Sequence, residues 1–317
     1  MSGDGFVTAF APASIGNVAV GFDMLGLALQ GVGDRVSVRQ RPAAGVKITG
    51  VLDPEGQPHR NLSIDPEQNT AAIAAAALWR VAGAPGGLEM IVQKGIPLQS
   101  GMGSSAASAV AAVVAANALL QNPLEPDELL KCALEGEKYA SGSVHADNVA
   151  PSLFGGLVFC PPVLLPVSVK LAAPSGIDSV LVHPHLEVNT ATARRALAAS
   201  CSMSQWLEQQ AYLASFVLGC ERNDTALISR ALHDVIIEPQ RAALVPFFHE
   251  VKGAAMNARA LGCSLSGSGP SLFALAESKN ARSVASAMEE ACRASGVECE
   301  SWISSMDSPG AHLQAAP

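Results

Sequence analysis

The stretch Ile91-Val-Gln-Lys-Gly-Ile-Pro-Leu-Gln-Ser-Gly-Met-Gly-Ser-Ser-Ala-Ala-Ser108 joins three kinds of local sequence within 18 residues. The apolar run Leu88 to Val92 predicts the end of a strand, and Pro97 stiffens the turn that follows it. From Ala106 to Leu120 the residues are mostly Ala, Val and Leu, which predicts a buried helix. The stretch therefore predicts a strand, a rigid turn and a core helix in succession.

The turn itself has the features of an anion site. Gly101 and Gly103 allow backbone torsions that a side chain forbids, and Ser104 and Ser105 offer hydroxyls where a helix N-cap needs one. A glycine-rich loop that leads into a helix gathers unpaired N–H groups at the positive end of the helix macrodipole. This arrangement predicts a phosphate site.

The loop alone leaves three interpretations open. It is not a Walker A loop, because no Lys follows the last glycine. It fits the loose dinucleotide pattern Gly101-x-Gly103-x-x-Ala106, but about eight residues with a proline separate the glycines from the strand. The third interpretation is a helix cap whose glycines only permit close packing.

Composition narrows the class of protein. The chain has 317 residues, of which 49% are hydrophobic and 15% charged, so we expect an ordered protein of two domains. The net charge of −8 argues against a nucleic-acid surface. Seven scattered cysteines without a Cys-x-x-Cys pair disfavour zinc and suit a reducing cytosol. No signal peptide or membrane span is evident, so we expect a soluble, cytoplasmic protein.

Strand and helix patterns alternate in both halves of the chain, which predicts an α+β protein with two lobes. Pro161, Pro162 and Pro166 mark the expected boundary, giving domains 1–160 and 161–317. We expect a strand from Phe6 to Ala11, a loop from Pro12 to Asp23, a polar loop over 139–148, a strand over 153–160 and a strand over 179–188.

Three polar, glycine-bearing loops stand out: Pro12 to Asp23, Pro97 to Ala106, and Ser264 to Ser271. Together they resemble the three motifs of the GHMP kinases. The middle loop is similar to the family pattern Pro-x-x-x-Gly-Leu-Gly-Ser-Ser, with Met102 in place of the usual Leu.

The resemblance narrows to the homoserine kinases within that superfamily and runs from about Val7 to about Asp307. It departs at Val18-Ala-Val20, where Leu-Gly-Pro is commoner, and after Arg195, where the usual Leu-Pro is missing. The segments that carry it are Pro12-Ala-Ser-x-x-Asn17, Gly21-Phe-Asp23-x-Leu-Gly26, His145-Ala-Asp-Asn148 with Pro151 and Gly155-Gly156, and Ser266-Gly-Ser-Gly-Pro270.

This resemblance implies a two-lobed GHMP kinase fold, with a ribosomal-protein-like, ATP-binding N-terminal domain and a ferredoxin-like C-terminal domain. It implies ATP and Mg²⁺ as cofactors, with Ser105 and Glu137 as the metal ligands, both hard oxygen donors. Without the motif, Glu137 would be a solvated helix carboxylate. The residues implied for ATP are Asn69, Pro97, Leu98, Gln99, Ser100, Gly101, Met102, Gly103, Ser104, Ser105 and Ala106; Asn69 could equally be a plain N-cap.

For the substrate, the resemblance implies L-homoserine, a small molecule, with no nucleic-acid or membrane partner. Asp23, with Asn17 beside it, is the expected partner of the ammonium group. Arg194 and Arg241 are the expected grip on the carboxylate, although either alone would be taken for a surface arginine. The remaining pocket residues are His145, Asn148 and Thr190, the last of which could also cap a helix. The oligomeric state stays open, a homodimer included.

The expected reaction is in-line transfer of the γ-phosphoryl group of ATP to the substrate hydroxyl, with Ser105, Glu137 and Asn148 as the catalytic set. Mevalonate kinase and its relatives use an Asp near the attacking hydroxyl. The corresponding region here has Asn148, and an amide cannot take up a proton. The sequence therefore predicts a reaction without a dedicated general base.

Three rival functions remain at this point: another GHMP kinase acting on mevalonate or a sugar, a nicotinamide dehydrogenase, and an RNA-binding protein. The acidic charge and the aromatic content of 4% disfavour the last. The pair His183-Pro-His185 could bind a metal, but with no third ligand nearby we favour an exposed strand edge.

Overall fold

The computed structural model describes residues 5–141 and 144–314. Its strands are β1 (Val7–Gly16), β2 (Leu25–Arg41), β3 (Gly45–Leu52), β4 (Gly87–Gln93), β5 (Leu157–Phe159), β6 (Val169–Lys170), β7 (Ile177–Pro184), β8 (Gly262–Leu265), β9 (Leu272–Glu277), β10 (Cys299–Ser305) and β11 (His312–Gln314). Its helices are α1 (Thr70–Val81), α2 (Ser104–Asn117), α3 (Pro126–Ser141), α4 (Val149–Phe154), α5 (Thr190–Arg195), α6 (Met203–Arg222), α7 (Thr225–Ala231), α8 (Glu238–Arg241), α9 (Phe248–Asn257) and α10 (Ser278–Ala294).

The first lobe packs α1, α2 and α3 with a mixed sheet. Within the described residues this sheet has seven strands, in the order β11-β1-β2-β4-β3 with β5 and β6 attached to β2. Helix α2 is buried along most of its length and contacts both α1 and α3. Its alanines, and those of α1, let the helix backbones approach closely, which explains why an alanine-rich sequence forms the centre of a core rather than a surface helix.

The second lobe has a ferredoxin-like core. Its described strands form a four-stranded antiparallel sheet in the order β10-β7-β9-β8, and helices α9 and α10 cover one face. Helix α10 is amphipathic, with Ala281, Val284, Ala285, Met288 and Cys292 buried at the spacing of one helix face. The expected α+β fold with two different lobes is thus confirmed.

The two lobes are joined by more than one crossing of the chain. After residue 160, strand β6 pairs with β5, and the C-terminal strand β11 returns to pair with β1. Phe216 of α6 and Ile228 of α7 belong to a hydrophobic cluster that continues from the core of the first lobe to one face of the second sheet, where it includes Leu181 and Phe273. The division at residue 160 stays a prediction, since residues from beyond it complete the first sheet.

Several expected element boundaries are wrong. The loop predicted from Pro12 is strand as far as Gly16, because Pro12 sits at a register shift with β2 where its missing N–H is tolerated. The predicted strand 153–160 is helix α4 followed by the short strand β5. The predicted polar loop 139–148 begins with the last turn of α3, and residues 142 and 143 lie outside the described part of the chain.

The expected serine cap of α2 is also wrong. Gly103 is the N-cap, at φ 69°, and it makes no side-chain cap bond. A left-handed residue directly before the first turn suits glycine, and it leaves the two following hydroxyls free for other partners. Of the described helices, none combines the length and apolar character needed to cross a bilayer.

Close helix packing gives a first prediction. A Cβ at Gly136 of α3 would lie 2.5 Å from the Thr70 carbonyl oxygen and 3.1 Å from the Ala109 Cβ. Gly136→Ala should therefore lower the free energy of unfolding by about 1–3 kcal/mol, although alanine is the better helix former. Urea denaturation measures this change.

The matched control is Gly253→Ala in α9, where an added Cβ meets nothing within 4 Å. There the substitution should stabilise the protein by about 0.5–1 kcal/mol. Equal effects at the two positions would mean that α1, α2 and α3 are not packed as closely as the structure shows.

Candidate active site

The three glycine-bearing loops meet at one cavity of about 550 Å³ between the lobes. The cavity has a phosphate-loop wall, an end with the two arginines, and an end beside α1 and α3. The phosphate-loop wall consists of Leu98, Gln99, Ser100, Gly101, Gly103, Ser104 and Ser105. The arginine end contains Asn17, Asp23, His145, Asp147, Asn148, Thr190, Arg194 and Arg241, and the far end contains Asn61, Leu62, Gln68, Asn69 and Tyr139.

Donors elsewhere in the protein bind the backbone carbonyl groups of the middle glycine-bearing loop, Pro97 to Ala106, which we call the phosphate loop. The carbonyl of Gln99 accepts from the Val188 N–H (3.1 Å), that of Ser100 from the Ser271 hydroxyl (2.6 Å), and that of Gly101 from the Ser266 hydroxyl (2.7 Å). In a trans peptide the N–H points opposite to the C=O. The N–H groups of residues 100–102 therefore point to the opposite side of the loop from these donors.

The helix behind the loop adds further donors. The first N–H groups of α2 have no carbonyl one turn earlier to bond to, so they are available to a bound anion. Met102 and Ala106 are fully buried behind the loop, and Pro97 stiffens its entry without lining the cavity. Of the residues expected to touch ATP, these three support the loop from behind.

The side chains of Ser14 and Asn148 meet at Gly103. The Ser14 hydroxyl donates to Asn148 Oδ1 at 3.0 Å, and a Cβ at Gly103 would lie 2.3 Å from that hydroxyl and 3.0 Å from Asn148 Oδ1. Only glycine permits this approach. The contact fixes Asn148 against the start of α2, next to the phosphate loop.

The expected metal ligands are in direct contact. The Ser105 hydroxyl donates to Glu137 Oε2 at 2.7 Å, with Glu137 only 8% exposed. Burial raises the pKa of Glu137 to about 7, against the hydrogen bond from Ser105, which lowers it. Two hard oxygen donors on adjacent helices suit Mg²⁺, an ion that keeps several waters and takes phosphate oxygens besides a few protein ligands.

Asn69 acts as a helix cap in this structure. Its Oδ1 accepts from the N–H groups of Ala71 (3.1 Å) and Ala72 (3.4 Å), and its Nδ2 donates to the Ser63 carbonyl (3.3 Å). Both ends of the amide are engaged by backbone groups. Although Asn69 lines the far end of the cavity, contact with a nucleotide base stays a prediction.

A bidentate ion pair lies at the arginine end. Arg194 donates from Nη1 to Asp23 Oδ2 (2.8 Å) and from Nη2 to Asp23 Oδ1 (3.0 Å). Arg194 Nη2 also lies 2.9 Å from His145 Nε2. Because a guanidinium cannot accept, His145 must accept there and is neutral, with its proton on Nδ1. Burial, the largest cause, lowers the pKa of His145, which fits that state.

Arg241, the second arginine, is held in place by backbone carbonyl groups. Arg241 is 3% exposed and donates from Nη1 to the Gly267 carbonyl (3.0 Å) and from Nε to the Ala193 carbonyl (3.3 Å). Both guanidinium groups lie over the ring of Phe22, at 4.9 Å for Arg194 and 5.3 Å for Arg241. Phe22 thus holds the two cations side by side, a role that the sequence analysis missed.

The loop that follows β1 is conformationally strained. Asn17, Val18 and Ala19 have positive φ angles of 69°, 43° and 59°, which non-glycine residues rarely adopt. The Asn17 side chain holds this turn, since its Nδ2 donates to the Gly267 carbonyl (3.0 Å) and its Oδ1 accepts from the Asp23 N–H (3.0 Å). The departure at Val18-Ala-Val20 falls inside this turn.

Asp147 is the site residue that the sequence did not identify. It is 3% exposed and lines the cavity between His145 and Asn148. Burial raises its pKa to about 7, with the Asp23 carboxylate adding to the shift, while a hydrogen bond from the Asn17 backbone lowers it. Its position inside the His-Ala-Asp-Asn segment was the available signal.

The cap alternative for Thr190 and the strand-edge expectation for His183 need correction. Thr190 is the first residue of α5 and Asn189 is the N-cap, since Asn189 Oδ1 accepts the Thr192 N–H at 3.1 Å. Thr190 lines the cavity, and its contact with a substrate stays a prediction. The exposed strand edge expected for His183 is wrong, since His183 is 4% exposed on β7, between β10 and β9. Its Nδ1 lies 3.0 Å from the Ser271 hydroxyl. In the described residues, no three His, Cys, Asp or Glu side chains group together as metal ligands.

Comparison with known proteins identifies the class. The family models for the N-terminal and C-terminal domains of GHMP kinases match residues 69–156 and 216–294. This chain belongs to the GHMP kinase family, as its motifs indicated. Its relatives include the homoserine kinase of Xanthomonas campestris pv. campestris, 44% identical over 97% of this chain and 94% of that protein.

Two further homoserine kinases cover the chain almost completely. That of Chloroherpeton thalassium is 41% identical over 97% of this chain and 99% of that protein. The crystal structure of homoserine kinase from Cytophaga hutchinsonii is similar with a TM-score of 0.93 and 41% identity, covering 99% of both chains. The similarity to homoserine kinases therefore extends over both lobes.

The buried carboxyl gives a second prediction. The pKa of Asp147 is raised from 3.8 to about 7, so the stability it contributes is present below pH 4 and is lost as the pH rises through 7. Asp147→Asn does not titrate. Relative to the unchanged protein, this variant should gain on the order of 2 kcal/mol of unfolding free energy between pH 5 and pH 8.

Urea denaturation at the two pH values measures the change, and Asp307→Asn serves as the control because the Asp307 side chain is 64% exposed. A difference between Asp147→Asn and the unchanged protein that does not vary with pH would contradict the raised pKa.

Proposed function

We propose that this protein transfers the γ-phosphoryl group of ATP to the side-chain hydroxyl of L-homoserine and releases O-phospho-L-homoserine and ADP. The observation that carries the proposal is one cavity lined both by the glycine-rich loop before α2 and by Asp23, Arg194 and Arg241. Full-length similarity to homoserine kinases supports it. The reaction belongs to threonine biosynthesis, and we place it in the cytoplasm, where ATP is made available and thiols stay reduced.

The arginine end suits a free amino acid. Arg194 and Arg241 present two cations for the α-carboxylate, and Asp23 presents a carboxylate for the α-ammonium. In the structure Asp23 and Arg194 neutralise each other, so a ligand that replaces this contact must supply both charges. A zwitterion does so. Mevalonate lacks the ammonium group, and a neutral sugar lacks both charges.

Magnesium fits the phosphate-loop side of the cavity, opposite the arginine end. Ser105 and Glu137 would hold it, and the ion would neutralise the phosphate oxygens and polarise the γ-phosphoryl group. Since only these two protein oxygens are proposed as ligands, the metal would arrive with the nucleotide. Glu137, with its pKa raised to about 7, would lose its proton to become a ligand.

The protein's own residues then supply position and charge. Backbone N–H groups of the phosphate loop and of the first turn of α2 would hold the phosphates, and the arginines with Asp23 would fix the substrate backbone. Asn148, pinned by Ser14 beside the loop, orients the attacking hydroxyl. An amide cannot take up the hydroxyl proton, so the proton passes to the phosphoryl oxygens in a loose transition state.

The acceptor is tested by ADP release with ATP and Mg²⁺, offering L-homoserine, mevalonate, galactose or no acceptor in parallel. Homoserine should give the only release clearly above the blank, and EDTA should abolish it. If homoserine gives no more ADP than the blank, the proposed acceptor is wrong. If mevalonate or galactose is used instead, the protein is another GHMP kinase.

The absence of a general base is tested at Asp147, the buried carboxyl next to Asn148. Asp147→Asn should keep kcat within about tenfold of the unchanged enzyme, because removing a true base lowers the rate by about 10²–10⁴-fold. A loss in that larger range, together with loss of the pH dependence of kcat near 7, would assign the base to Asp147. Asn148→Ala with unchanged turnover would remove Asn148 from the reaction.

A further inference from the structure

A buried ion pair lies directly beneath the phosphate loop. Lys94 is 4% exposed and Asp34 is 0% exposed. The Lys94 ammonium contacts Asp34 Oδ2, the Ser104 carbonyl oxygen at 2.9 Å and the Ser108 hydroxyl at 2.7 Å. All three ammonium protons therefore have an acceptor inside the protein.

Asp34 holds the other side of the same loop. Its Oδ1 accepts from the backbone N–H groups of Gly95 (2.9 Å) and Ile96 (3.2 Å), and its Oδ2 accepts from the Ser108 hydroxyl (2.6 Å). Gly95 and Ile96 are the residues that leave β4 and enter the loop. One carboxylate thus ties the loop entry to the second turn of α2.

Together the two side chains close the loop into a ring. Lys94 precedes the loop and Ser104 begins α2, so the contact between them joins the two ends. The Ser104 hydroxyl adds a second tie, donating to the Ile96 carbonyl at 3.2 Å. With both ends joined at their base, the intervening peptides have little conformational freedom left to lose when a phosphate binds.

The carbonyl that Lys94 holds is part of the peptide that places a metal ligand. The C=O of Ser104 and the N–H of Ser105 belong to one planar unit, and they point in opposite directions. A bond that fixes the first therefore fixes the direction of the second. It also sets the backbone from which the Ser105 hydroxyl reaches Glu137.

Charge attraction is a poor explanation for this lysine. A cation beside a helix N-terminus opposes the macrodipole, and the contact with Asp34 offsets its charge. Nor does a buried ion pair by itself indicate stability, because apolar replacements of equal size are often as stable. The remaining explanation is geometric: the contacts of Lys94 and Asp34 fix the backbone of the phosphate loop.

The geometry points to Lys94 as a positioning residue that orients the Ser104–Ser105 peptide, and with it the phosphate and magnesium end of the cavity. The inference rests on the proposed use of MgATP but not on the identity of the acceptor. Failure of homoserine as acceptor, with MgATP binding intact, would leave it standing.

The test compares two double variants of the full chain by isothermal titration calorimetry. Lys94→Met with Asp34→Leu removes the pair and the donor to Ser104, whereas Lys94→Gln with Asp34→Asn removes the charges but keeps a donor. The first should weaken MgATP binding by about 10–100-fold, as loss of an orienting partner does at metal sites. The second should recover most of that loss, and adenosine should bind both variants as it binds the unchanged protein.

Three results would overturn the inference: unchanged MgATP affinity in the Met/Leu variant, equal losses in the two variants, or an equal loss for adenosine. The first would make the pair purely structural, the second would make its charge the active feature, and the third would indicate general damage. Far-UV circular dichroism and thermal melting check the fold. If the Met/Leu variant does not fold, Lys94→Met with Asp34→Asn takes its place in the same comparison.

Discussion

The site depends on where the carbonyl groups of the phosphate loop point. Donors of the C-terminal lobe bind three consecutive carbonyls, those of Gln99, Ser100 and Gly101. Because each peptide is planar and trans, these bonds also fix the direction of the N–H groups that follow. The C-terminal lobe therefore helps to set the backbone of the phosphate loop, and Ser266 and Ser271 of the loop Ser264 to Ser271 donate two of the three bonds. This explains why serines and glycines, rather than basic residues, make up that loop.

The same loop links the two ends of the cavity. The Gly267 carbonyl accepts from both Asn17 Nδ2 and Arg241 Nη1, and the Gly267 N–H donates to the Gly16 carbonyl at 3.0 Å. The left-handed turn at Asn17 is held by these bonds, which offset its backbone strain. The backbone of Gly267 thus positions the turn before Asp23 and one of the two arginines. The loop that contains it, Ser264 to Ser271, therefore supports both the arginine end and the phosphate-loop wall of the cavity.

Electrostatics divide the cavity into two parts. At the arginine end, Asp23 and Arg194 are paired, and His145 stays neutral because it must accept from the guanidinium. Elsewhere in the cavity, burial raises the pKa of Asp147 and of Glu137 to about 7, so neither carboxyl is fully ionised near neutral pH. Beside the Asp23–Arg194 pair, the site thus avoids holding two uncompensated carboxylates, and a cation arriving with the phosphates would ionise Glu137.

The sequence by itself determined the class of fold and predicted the phosphate loop, because glycines, hydroxyls and helix patterns act over a few residues. The pairing of Ser105 with Glu137, which lie 32 residues apart, was implied only by the resemblance to the GHMP kinases. The sequence did not determine the roles of Phe22, Asp147 or Lys94. Those roles come from contacts between residues far apart in the chain: Lys94 meets Asp34 across 60 residues, and Arg194 meets Asp23 across 171. The N-cap of α2 and the burial of His183 were misjudged for the same reason. Local propensity cannot register a hydroxyl whose partner lies on another helix, or a strand whose neighbours cover both of its edges.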